Sequence, residues 1–233
     1  MNWLDEIGND LPHEEHIEVL DTDNLEMDWR IKRLGNLTGS NFGKLVKGKG
    51  DKFFLSTGKV ASDLIYKIAW ERMLKQGNIS NGLGRLSVSS QSMNHGNDYE
   101  GEAILKYQEK TGNKVIYSQE YISLNDWVGG TPDGLIDKDG IIEVKCPWNG
   151  GNHLQTLITG RLYNPEHYFQ IQGYLWITGR KYCEFVTYDP DLIEGLQLSI
   201  TKIERCEDTI KGIELVMNEV IEKVKLIIKQ IEK

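Results

Sequence analysis

Cysteine is scarce in this chain, three in 233 residues, and Cys146, Cys183 and Cys206 stand too far apart for a CxxC pair or for the ligand spacing of a zinc or iron-sulfur site. A disulfide scaffold and a sulfur-held metal centre are therefore excluded, and the thiols are expected to be reduced, with Cys146 buried. No apolar run approaches the roughly 20 residues of a membrane span. The acidic start of the chain has neither the basic nor the apolar region of a secretory leader. These absences predict a cytoplasmic protein without membrane contact. There is no internal repeat, low-complexity tract or proline-rich linker to divide the chain, and 39% hydrophobic content is enough for a sizeable core.

Positive charge is missing from residues 1–28, which hold ten Asp and Glu and no Lys or Arg. The whole chain carries −8, but the remainder without that segment carries +2. The net charge is therefore no argument against a polyanionic partner, for which phosphate contacts supply most of the affinity. Arg30, Lys32, Arg33, Lys44, Lys47, Lys49 and Lys52 follow at once. Such a cluster can track a phosphate backbone or simply form a solvated face. The expected organisation is an acidic segment, 1–28, followed by one domain, 29–233.

The most informative stretch is Thr131-Pro132-Asp133-Gly134, then Lys138-Asp139-Gly140, then Ile141-Ile142-Glu143-Val144-Lys145-Cys146-Pro147. Ile-Ile-x-Val reads as a short buried strand, and Lys-Asp-Gly has the turn chemistry that folds Asp133 back beside Glu143. Glu143 and Lys145 leave a strand by the same face while Val144 points the other way. Asp133, Glu143 and the Val144 carbonyl are then hard oxygen ligands suited to Mg2+, with Lys145 placed to orient or deprotonate an attacking water. An exposed Glu-Lys pair on a surface hairpin is the plain alternative, but it has no need of the flanking apolar residues or of Pro-Asp-Gly ten positions earlier.

Elsewhere the pattern predicts a helix beginning near Ser40 as its cap, a second from Ser62 to Lys75, and a long loop from Gly77 to Asn94. A helix from about Asn97 to Lys110 places Glu100 on the apolar face of Ala103, Ile104 and Tyr107. A carboxylate there needs a metal, a cation or a backbone partner. Strands are expected at Val115–Ile122, Trp127–Thr131, Ile141–Cys146 and Tyr182–Tyr188. In a helix from about Pro165 to Thr178, Gln170 shares a face with Gly173, Tyr174 and Ile177. The C-terminal helix carries Ile210, Ile213, Met217, Val220, Val224, Ile227 and Ile231 at spacings of three and four, a heptad seam that can pack on the same chain or on another subunit.

The Asp, then Glu-x-Lys, order resembles the PD-(D/E)xK nuclease superfamily, and the wider pattern resembles its phage lambda exonuclease and YqaJ-type viral recombinase branch. Arg33-Leu34-Gly35-x-x-Thr38-Gly39-Ser40, Gly96-x-x-Tyr99-Glu100, Pro132-Asp133-Gly134-Leu135, Glu143-Val144-Lys145-Cys146-Pro147 and Gln170-x-Gln172 with Trp176 carry the likeness. The resemblance implies an α/β fold with a restriction-endonuclease-like core, a central mixed β-sheet flanked by helices, and an extra C-terminal helix. It implies Asp133 and Glu143 as metal ligands, Lys145 as the catalytic lysine, and Glu100 and Gln170 as supporting residues. Arg33, Ser40 and Thr131 would hold a 5′-phosphate, and Met93 would be a strand-separating wedge. A second phosphate-binding arginine has no counterpart in Trp148–His153, which leaves Arg161, or His153 with backbone amides, as substitutes.

The activity implied is a Mg2+-dependent 5′-to-3′ exonuclease, with Mn2+ able to substitute and two ions per site. It would act on double-stranded DNA ends bearing a 5′-phosphate and leave 3′ tails for phage-type recombination in a bacterial host. A homo-oligomer, as a ring of three, and a single-strand annealing protein are the implied partners. A structure- or sequence-specific endonuclease on the same core and a non-catalytic DNA-end-binding module are the alternatives.

Overall fold

A computed structural model describes residues 22–74, 91–117 and 120–232, without the side chains of 22–26 and 91–93. In chain order the elements are α1 (Thr22–Arg33), β1 (Leu37–Thr38), α2 (Gly39–Leu45), β2 (Val46–Lys49), β3 (Lys52–Leu55) and α3 (Lys59–Leu74). Then come α4 (Gln91–Thr111), β4 (Val115–Ile116), β5 (Ile122–Ser123), β6 (Val128–Gly130), β7 (Gly134–Ile136) and β8 (Gly140–Lys145). The chain ends with α5 (Gly150–Thr159), α6 (Glu166–Thr178), β9 (Tyr182–Tyr188), β10 (Leu198–Glu204) and α7 (Glu207–Ile231). Most of the acidic segment and the expected Gly77–Asn94 loop lie outside the described residues, except that Gln91–Asn94 already belong to α4.

The main sheet has the order β10-β9-β8-β7-β4 and is mixed, because β8 and β9 run parallel while its other pairs are antiparallel. Alternation along β8 splits the core in two. Ile141, with Cys183 and Phe185 of β9, packs on α2, α3, α6 and α7. Ile142 and Val144, with Val186 and Tyr188, pack on Ala103, Ile104 and Tyr107 of α4. Helices thus cover both faces, as parallel strands buried on two sides require.

The β7–β8 hairpin pairs Gly134 with Ile142 and Ile136 with Gly140, so the expected turn is present, with Asp137 at φ 45°. Arg180 holds it from beyond α6, donating to the carbonyls of Ile136 (3.1 Å), Asp137 (2.9 Å) and Gly140 (2.8 Å). The heptad seam of α7 belongs to this chain's own core. Ile213, Met217, Val220 and Val224 are fully buried, each stabilising by about 1.5–3 kcal/mol, whereas Ile231 at the end is exposed. Gly212 lets the β3 hairpin close on that helix, since a Cβ there would sit 2.2 Å from the Phe53 ring.

Two expectations are corrected. The strand expected over Val115–Ile122 is two short strands in different sheets, β4 beside β7 and β5 beside β6. Ser40 does not cap α2: Thr38, extended at φ −106° and ψ 160°, occupies that position, and Ser40 lies in the first turn. Elements beyond the expected ones include the strands β1, β2, β3 and β10 and the helices α1 and α5.

Candidate metal centre and phosphate pocket

Beyond the last β7–β8 ladder pair, the Val144 N–H has no partner strand, and the Asp133 carboxylate takes it at 2.7 Å. That single bond sets Asp133 beside Glu143. Glu143 is fully buried on the α6 side of the sheet. Its Oε1 accepts from Gln170 Nε2 at 2.6 Å and from the Lys145 ammonium, which also reaches the Val144 carbonyl at 3.1 Å. Its Oε2 is buried without a hydrogen-bond partner among the described residues. Glu100 comes in from α4, with Tyr117 donating to its Oε1 at 3.3 Å.

The electrostatics follow from three carboxylates in one dry place. Burial, then the Asp133 charge, pushes Glu143 up to about 8 and Glu100 up to about 7. Burial also raises Asp133. For Lys145, burial alone would lower the pKa, but the Glu143 and Asp133 carboxylates outweigh it and hold the ammonium above its ordinary value. Such a site favours an added cation. Among the described residues no group of three or more His, Cys, Asp and Glu side chains is arranged to hold a metal ion. The available donor set is two carboxylates and a carbonyl, which suits Mg2+, an ion that keeps several of its waters. The unpartnered Glu143 Oε2 fits that role.

The second half of the site is built by a long-range pairing. Parallel β1 and β6 match Thr38 with Gly129, so Ser40 and Thr131 emerge at the same end. Thr38 Oγ1 and Ser40 Oγ are 3.1 Å apart. Trp29 of α1 donates its indole N–H to Thr131 Oγ1 at 2.9 Å, and the Arg33 guanidinium lies 4.1 Å over the Trp29 ring. Sequence reasoning missed Trp29, although an aromatic four residues before an arginine on one helix is a readable stacking pair.

It also missed the support behind Arg33. Gly35 N–H donates to Glu71 at 2.9 Å, and Arg72 donates to Gly35 O at 2.7 Å and Asn36 Oδ1 at 2.8 Å, with its guanidinium over Trp127 at 3.7 Å.

Of the substitutes considered for a second phosphate-binding arginine, His153 is eliminated. It is fully buried, with Nδ1 2.9 Å from Thr187 Oγ1 and Nε2 2.8 Å from Leu196 O. Arg161 lies past the far end of α5, about 15 Å along the helix from Gly150. The side chain of Met93 lies outside the described residues.

A mixed sheet flanked by helices that sets Asp, Glu and Lys on one hairpin is the arrangement of a PD-(D/E)xK nuclease. The chain belongs to the YqaJ-like viral recombinase domain family, whose model matches residues 28–181. It is similar to the solved alkaline exonuclease LHK-Exo from Laribacter hongkongensis, alone and in complex with dAMP. The identity is 26%, over 88% of this chain and 96% of that one, with a TM-score of 0.75. A phage related exonuclease from Haemophilus somnus 129PT shares the fold, with 14% identity over 84% of this chain and 96% of that one and a TM-score of 0.64. No curated protein matches the chain significantly.

Proposed function

We propose that this protein is a Mg2+-dependent exonuclease that degrades the 5′-phosphorylated strand of linear duplex DNA and leaves a 3′ single-stranded tail. The single observation that carries the reading is the buried Glu143 carboxylate, with one oxygen held by Gln170 and Lys145 and the other without a partner among the described residues, beside Asp133.

In this reading Asp133, Glu143 and the Val144 carbonyl hold the ion. Bound there, Mg2+ would acidify a water and offset charge developing on the phosphoryl oxygens. Gln170 fixes the rotamer of Glu143, so little reorganisation is left for the moment of reaction. Lys145 stays charged beside two carboxylates, so it orients the nucleophile and the phosphate and is not a general base. Glu100, with a pKa raised to about 7, is poised to exchange a proton near neutrality. Arg33, Ser40 and Thr131 receive the terminal 5′-phosphate, the guanidinium matching two of its oxygens.

The similarity to proteins described as exonucleases supports the choice of DNA ends over internal sites. The tail is the substrate of a strand-annealing partner in a bacterial cytoplasm, and a ring of copies around the duplex would hold the enzyme on its track. The test compares linear duplexes with and without 5′-phosphate and a closed circle, in Mg2+ or chelator. Loss of linear DNA alone, fastest from phosphorylated ends, is the expected result. Cutting of the circle points to an endonuclease, and inertness with retained end binding points to a non-catalytic module.

A further inference from the structure

The metal centre and the phosphate pocket are joined by one side chain that neither has yet used. On α6, Tyr174 lies one turn beyond Gln170, on the same face, and Gln170 itself touches Glu143 at 2.6 Å. The Tyr174 ring is 5% exposed. It is seated between two glycines: a Cβ on Gly39 would lie 2.3 Å from its Cε1 and 2.6 Å from its Cζ, and a Cβ on Gly130 would lie 2.6 Å from its Cε1. Those glycines are the residues immediately before Ser40 and Thr131. The phenol therefore stands at the point where β1 and β6 deliver the phosphate-binding hydroxyls, with its oxygen end toward the start of α2.

The charged groups that act on it are the Glu143 and Asp133 carboxylates, the Lys145 ammonium and the Arg33 guanidinium. Burial and then the two carboxylates hold the phenol above its ordinary value, so it remains a neutral donor. A neutral donor between a guanidinium and a divalent-cation site suits a phosphate oxygen.

We propose that the Tyr174 hydroxyl donates a hydrogen bond to the 5′-terminal phosphate, sharing it with Arg33 and tying the end of the strand to the metal centre. The inference rests on the nuclease reading for its substrate, but it makes a claim about end binding that needs no turnover. Tyr174→Phe removes one oxygen and keeps the packing against Gly39 and Gly130.

The experiment measures anisotropy of a labelled hairpin duplex bearing 5′-phosphate or 5′-hydroxyl, with the full chain in chelator, followed by steady-state degradation in Mg2+. Wild type should prefer the phosphorylated end, and Tyr174→Phe should narrow that preference by about tenfold to a hundredfold, the worth of a hydrogen bond to a charged group. The loss should appear in KM more than in kcat. An unchanged preference in the variant, an equal loss on both ends, or a wild type indifferent to the phosphate would overturn the proposal. A wild type that discriminates in binding yet degrades no DNA would instead refute the nuclease reading and leave the Tyr174 result standing.

Discussion

Gln170 and Glu143 are 27 residues apart in sequence and meet at 2.6 Å, the Gln170 amide donating to Oε1. The bond spans from α6 to β8 and leaves Glu143 Oε2 as the free oxygen of a carboxylate that cannot rotate. Gln170→Ala should therefore lower turnover by about tenfold to a hundredfold, the cost of releasing a preorganised group, with a smaller change in DNA affinity. Kinetics over a Mg2+ series would show the half-saturating metal concentration rising.

Asp133→Asn and Glu143→Gln should each reduce degradation of linear duplex about a thousandfold or more, as removal of one member of a cooperating set does. End binding in chelator should survive, and for Glu143→Gln it should improve above about pH 8, where the replaced carboxyl would otherwise carry negative charge near phosphate. Parallel binding and turnover measurements separate the two effects, and loss of binding with loss of turnover would mean a folding defect.

Metal-free protein should lose stability as pH rises. Burial and neighbouring carboxylates push Glu143 from 4.5 up to about 8 and Glu100 up to about 7. In the unfolded chain both release their protons near 4.5, so between about pH 4.5 and 8 the folded state holds protons that the unfolded state does not, and stability falls through that window. Below it, both states are protonated and nothing more is gained. Thermal melts in chelator should decline from about pH 5.5 to about pH 8.5, Glu143→Gln should flatten the slope, and Mg2+ should stabilise more at the alkaline end.

The support behind Arg33 should be separable from the chemistry. Glu71→Ala leaves the Gly35 N–H buried and unpaired, at a cost of about 1–3 kcal/mol in unfolding free energy. Because Gly35 and Asn36 anchor the turn that follows Arg33, KM for phosphorylated ends should rise while kcat on unphosphorylated ends changes less. Denaturant melts and end-specific kinetics check both statements.

Gly39→Ala should be worse than an ordinary glycine substitution in a helix. Its methyl would lie 2.3 Å from the Tyr174 ring, an overpacking expected to cost about 1–3 kcal/mol. The displaced phenol should reduce activity on phosphorylated ends beyond what the stability loss explains.

The legible parts of this molecule were those encoded by local periodicity. Ile141-Ile142-x-Val144 gave the central strand, Lys138-Asp139-Gly140 the hairpin that returns Asp133, and Ala103, Ile104 and Tyr107 the face from which Glu100 reaches inward. The α6 helix and the α7 seam were equally plain. What escaped depends on pairing across the chain. The two-residue β1 has almost no periodic signal, and although β6 lies within the expected Trp127–Thr131 strand, the parallel register that places Ser40 beside Thr131, 91 residues later in sequence, is written in neither segment alone. The same holds for Glu71 and Arg72, ordinary helix residues until the Gly35 turn lands on them. Tyr174 was visible as a neighbour of Gln170, but its position between Gly39 and Gly130 is a tertiary fact. His153 shows the opposite error, since a polar residue near the active strand is spent on bonding Thr187 and Leu196.

Calorimetric titration of Mn2+ or Mg2+ into metal-free wild type, Asp133→Asn and Glu143→Gln tests the central claim most directly. Saturable binding by wild type, lost or weakened at least about tenfold in each variant, is the predicted result. Equal binding in all three, or none in a wild type that still degrades linear DNA in chelator, would contradict it.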